Sequence, residues 1–80
     1  MDDARIHEHI NELVTEEHQL ERAHVGQGLS DAEKARLDDL GVQLDRYWDL
    51  LRQRAARRDA GYDPDTAQER PATVVEGYRQ

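Results

Sequence analysis

The chain has 80 residues and a formal net charge of −7, which allows one domain with a modest core. Hydrophobic and charged residues each make up 36% and there is no cysteine, so a disulfide framework and a thiolate metal centre are excluded. No run approaches the roughly 18 apolar residues of a membrane span, and Met1-Asp2-Asp3 does not open a secretory signal; the expected location is the cytoplasm.

Asp2 and Asp3 offer side-chain oxygens to the free N–H groups of a first helix. Ile6, Ile10, Leu13 and Leu20 follow at spacings that place them on one helical face. Gly26 and Gly28 end this helix, predicted over about residues 3–25, roughly 33 Å at 1.5 Å per residue. Ser30-Asp31-Ala32-Glu33 fits a capping box, in which serine and glutamate satisfy each other's backbone N–H groups. The stripe Leu37, Leu40, Leu44, Tyr47, Trp48 and Leu51 then predicts a second helix over about 31–58, stopped by Gly61. The connection between the helices is short, which makes them antiparallel neighbours. Folding there sets Leu20 near Leu37, Leu13 near Leu44 and Ile6 near Leu51. Residues 1–61 thus read as a helical hairpin and 62–80 as a tail that docks on the hairpin or on a partner chain. Asp63-Pro64 reads as an N-cap and first helical position, giving a short helix over 64–69 that Pro71 ends. Val74, Val75 and Tyr78 supply the tail's apolar contacts.

The fold class expected is therefore all-α: an antiparallel two-helix hairpin with a C-terminal tail, completed to a four-helix bundle by dimerisation. The second-helix stripe is wider than one neighbouring helix covers, and small chains without disulfides or metals gain stability from a partner subunit. A two-fold homodimer is the commonest soluble solution. Leu37, Leu40, Leu44, Tyr47, Trp48 and Leu51 are the candidate interface, with Tyr47 and Trp48 as its hot spot. Gly41 costs about 1 kcal/mol in a helix interior relative to Ala and is tolerated best where another backbone comes close.

All four histidines, His7, His9, His18 and His24, fall in the first helix. Glu21-Arg22-Ala23-His24 matches the Glu-x-x-His pair of di-iron bundles, and Glu17 lies one turn earlier on the same face. Two copies of Glu17, Glu21 and His24 form the alternative reading, a metal-binding bundle dimer. Against it, the second helix has no histidine, and the pattern arises often by chance in a Glu-rich helix. The favoured expectation is no cofactor, with Glu17 at an edge or paired to Arg36 or Lys34. Arg52, Arg54, Arg57 and Arg58 form the one basic cluster; residues 51–58 carry +4 against −5 over residues 2–25. The hairpin brings Asp2, Asp3 and Glu8 beside that cluster, and the overall charge repels phosphate, so nucleic acid is not expected as a partner. A weaker alternative is a regulator that presents this cluster to an acidic protein. No catalytic set is visible: Ser30 is the only serine, and Gly26-Gln27-Gly28 is a helix connection, not a phosphate loop.

The stretch Leu44-Asp45-Arg46-Tyr47-Trp48-Asp49-Leu50-Leu51-Arg52-Gln53-Arg54, followed by Ala56-Arg57-Arg58, resembles a group of roughly 80-residue conserved-hypothetical proteins of high-GC Gram-positive bacteria, described only as a domain of unknown function. Ile6-His7-x-His9-Ile10, Leu13-Val14-x-Glu16-Glu17-His18, Arg70-Pro71 and Val75-Glu76-Gly77-Tyr78 are similar to that group as well. The resemblance implies no activity. It implies a complete protein whose tail belongs to the fold. The function expected is that of a non-enzymatic, self-associating interaction or structural module.

Overall fold

The computed structural model describes residues 1–23 and 28–77. Helix α1 spans Asp3–Ala23, α2 spans Asp31–Asp59, a 3-10 turn covers Pro64–Thr66, and α3 spans Ala72–Gly77. The described residues contain no strand, and no helix among them is long and apolar enough to cross a membrane. The chain is all-α, as the periodicity predicts.

Local chemistry sets the helix ends. Asp2 accepts a hydrogen bond from the Arg5 backbone N–H at 2.9 Å, capping α1. Ser30 and Glu33 form both halves of the capping box at the start of α2. At its far end Tyr62 N–H donates to the Arg57 carbonyl and Gly61 N–H to that of Arg58. This double closure requires a left-handed residue at Gly61, whose φ is 83°.

The hairpin core contains Ile6, Ile10, Leu44 and Leu50, flanked by Leu13, Val14, Tyr47, Leu51 and Ala67. Apolar burial of this kind supplies about 25 cal/mol per Å². Arg36 forks onto Glu16 across the hairpin at 2.5 and 2.8 Å. The acid in this pair is Glu16, not Glu17, because it lies 100° further round α1, on the flank that faces Arg36. Glu17 is half-buried beside it.

The tail differs from the expected 64–69 helix. Only Pro64–Thr66 turn, capped by Asp63, and Ala67 is already extended with ψ 142°. The carbonyls of Gln68 and Arg70 accept from the side chains of Gln53 and Arg46. Pro71 therefore precedes a helix instead of ending one: its carbonyl accepts from Val74 and Val75 at the start of α3. Val75 is buried. Tyr78, expected to help dock the tail, lies outside the described residues.

The principal extents are 51 × 27 × 14 Å, with a radius of gyration of 15.1 Å. A compact 80-residue domain has a radius of about 12 Å. The fold is therefore elongated, with α1 packed on α2 and the 3-10 turn and α3 packed on it as well.

Candidate functional site

Helix α2 is the shared wall of the molecule, and its residues fall into three lengthwise faces. Leu40, Leu44, Tyr47, Leu51 and Arg54 turn to the α1 flank. Arg46, Asp49, Gln53 and Arg54 turn to the tail. Leu37, Gly41, Trp48, Arg52 and Ala55 form the third face, on which Leu37 and Gly41 are half-buried and Trp48, Arg52 and Ala55 are exposed.

The tail face holds the most unusual groups. Asp49 sits between Trp48 and Leu50 in sequence and is fully buried. Arg70 forks onto both of its carboxylate oxygens, the Nε bond being 2.9 Å. Gln53 donates a further bond of 2.9 Å, and the Arg52 guanidinium lies 3.9 Å away. The same Gln53 amide donates to the Gln68 carbonyl, and Arg46 Nε to that of Arg70 at 3.0 Å. One turn on, the buried Arg54 donates to Asp3 at 2.5 Å, to Asp65 at 2.9 Å and to the Pro64 carbonyl at 3.3 Å. Arg58 takes the other oxygen of Asp3 at 2.5 Å. A ladder of charge-assisted bonds therefore fastens both ends of the described chain, Asp3 and residues 64–70, to the last half of α2.

The electrostatics follow from these partners. The Arg70 guanidinium holds the Asp49 carboxyl below the usual carboxylate range, opposed by burial and helped by Gln53. Bonds from Arg54 and then Arg58 do the same for Asp3, and Asp3 in turn raises Arg54. These acids stay ionised and the arginines stay charged. The ladder is thus suited to holding the chain, not to passing protons.

A pH dependence follows. Both carboxylates have folded values below the unfolded value of about 3.9. Their stabilisation is complete above that value and is lost as pH falls through the folded values. As pH falls below about 4 the tail is expected to loosen progressively, seen as the Val75 methyl resonances moving to unfolded shifts before those of Ile6 and Ile10. Val75 and Ile6 shifts that move together throughout the acid titration would contradict the ladder's role.

The rim between α1 and α2 carries two ring contacts. His9 stacks on Tyr47 with centroids 5.4 Å apart and planes 2° from parallel, and its Nδ1 lies 3.9 Å from Glu12. His7 meets Trp48 edge-on at 6.1 Å. Burial chiefly pushes the Tyr47 hydroxyl up, whereas the Trp48 residue stays 44% exposed.

Among the residues expected at an interface, Leu40 and Leu44 are buried within the chain, Leu37, Tyr47 and Leu51 are half-buried, and Trp48 is exposed. In the basic cluster Arg54 and Arg58 are tied to Asp3, Arg57 is half-buried and Arg52 exposed. Glu21 is exposed, and His24 lies outside the described residues. Among the described residues no group of three or more His, Asp or Glu side chains is placed to hold a metal ion. Sequence reasoning missed Asp49, Leu50, Gln53, Asp65 and Arg70. Asp49, Leu50, Gln53 and Arg70 lie in the stretches that carry the family resemblance, but no spacing there pairs Asp49 with Arg70.

The profile of the family described as "Protein of unknown function (DUF2630)" matches residues 2–80. Uncharacterized proteins of Mycobacterium bovis and Mycobacterium tuberculosis are 46% identical to the chain over 71 residues, covering 88% of it and 82% of each relative. No solved structure matches.

Proposed function

The chain belongs to the DUF2630 family of unknown function, and from that premise we propose that it is a non-enzymatic, self-associating interaction or structural module that works as a homodimer. The observation that carries this reading is Trp48, which stays 44% exposed on a stripe of α2 that also holds Leu37, Gly41 and Ala55. Large aromatics are the side chains that most often anchor an interface, and a small chain without disulfides gains stability from a partner subunit. Another copy covers such a stripe without further components. The ionic ladder supports the non-enzymatic part: its buried charged groups are engaged with one another, leaving none poised for acid–base or nucleophilic work.

Light scattering at two protein concentrations tests the reading; a mass of twice the 9.3 kDa chain is expected, and a monomer at both would refute it. Trp48→Ala is expected to lower the mass to that of a monomer. The partly exposed Trp48 is not among the core residues, so the helical circular dichroism signal persists. A Trp48→Ala variant that stays dimeric and melts as before would remove Trp48 from the interface.

A further inference from the structure

We infer that the stripe of α2 that bears Gly41, Trp48, Arg52 and Ala55 pairs with the same stripe of a second copy, the two helices running antiparallel, with each Trp48 seated over the partner's Gly41. The inference rests on the self-association proposed above and specifies its surface and orientation.

The total surface agrees with a partner of this kind. The chain exposes 5660 Å², whereas a compact 9.3 kDa monomer exposes about 5,000 Å² by the scaling of area with mass. The elongated fold thus leaves roughly 700 Å² more than a compact chain does, and each partner of a standard interface covers roughly 800 Å².

Shape gives the register. Trp48 and Gly41 stand seven residues, two helical turns, apart on one stripe. Trp48 is an exposed, bulky side chain, and a Cβ added at Gly41 would meet nothing within 4 Å. A projection and a gap on one helix cannot fill each other, but two antiparallel copies do so twice, about an axis between Leu44 and Asp45. A parallel pair in register would set Trp48 against Trp48 and gap against gap.

Charge agrees. Asp38 and Arg52, both exposed, share the same rim of the stripe. Same-rim residues face each other across an antiparallel pair, and the Trp48–Gly41 register brings Asp38 within one residue of the partner's Arg52. In a parallel two-fold pair the two copies of this rim lie on opposite sides of the interface, so Asp38 and Arg52 would not meet.

The absence of cysteine makes site-specific cross-linking clean. Asp45→Cys, beside the axis, and Asp59→Cys, near the end of α2, are each treated with a short bismaleimide, with light scattering on the same samples. In the antiparallel arrangement the two thiols at position 59 are roughly 40 Å apart at 1.5 Å per residue, while those at 45 are adjacent. The expected result is a covalent dimer from Asp45→Cys and at least tenfold less from Asp59→Cys. Equal cross-linking at both sites overturns the inference in favour of a parallel pair. A dimeric mass with no cross-linking at 45 overturns it in favour of another face and leaves self-association standing. A monomeric mass in both samples and in the unsubstituted chain overturns both.

Discussion

Replacing Arg70 by Ala is expected to destabilise the protein by about 3–5 kcal/mol, and replacing its partner Asp49 by Ala by clearly less, about 1–3 kcal/mol. The asymmetry comes from solvent access. The Asp49 side chain is 1% exposed and that of Arg70 is 36% exposed. Removing the arginine leaves a buried carboxylate with the Gln53 amide as its one remaining short bond. Removing the carboxylate leaves a guanidinium that already reaches water in the folded chain, and Gln53 keeps its bond to the Gln68 carbonyl. An 80-residue domain has roughly 4–12 kcal/mol of stability to lose, so Arg70→Ala takes a large share. Arg70→Lys falls between, because it keeps the charge and loses the fork. Urea unfolding followed by circular dichroism measures all three. Equal losses, or a larger loss for Asp49→Ala, would show that Asp49 is not sealed from water.

Ile6→Ala is the core counterpart, with an expected loss of about 2–5 kcal/mol. Ile6 is fully buried at the start of α1 and clusters with Ile10, Leu44 and Leu50. Truncating it removes apolar contacts and leaves a cavity between two helices whose ends are already held by the Asp3 bridges to Arg54 and Arg58, so the site cannot collapse freely. Ile6→Val deletes one methylene and should cost about 0.5–1.5 kcal/mol. The pair separates loss of volume from loss of fold. Measurement at low protein concentration keeps association from adding to the apparent stability. If Ile6→Ala and Ile6→Val melted alike, the packing of α1 on α2 would be looser than the burial of Ile6 implies.

Part of this protein was legible in its sequence because the signals are short-range. The spacing of Ile6, Ile10 and Leu13 requires a helix with one apolar face. Ser30 and Glu33 mark the first turn of α2 by satisfying each other's backbone, and Gly61 marks its end because only glycine takes a positive φ there without strain. A connection of few residues leaves the two helices antiparallel. Each of these is decided within a few residues of chain, so neighbouring letters carry it.

Short-range signals thus suffice for the all-α hairpin and for the family to which the chain belongs. The way α2 divides its surface between its neighbours comes from packing of the whole chain. Read alone, Asp49 is one more acid on a charged helix and Arg70 one more arginine before a proline. They become a buried fork only because the tail, 21 residues further on, lies along the flank of α2 opposite no other helix. The same docking sets the carbonyls of Gln68 and Arg70 against side chains of α2, beyond a turn that ends at Thr66. Packing of α1 on α2 buries Leu50 with Ile6 and Ile10, while Trp48 stays exposed. Any of several arginines could have met any of several acids at equal local cost. The choice among them is made by packing the whole chain, because a long-range pair is stable only where the surrounding elements exclude water from it.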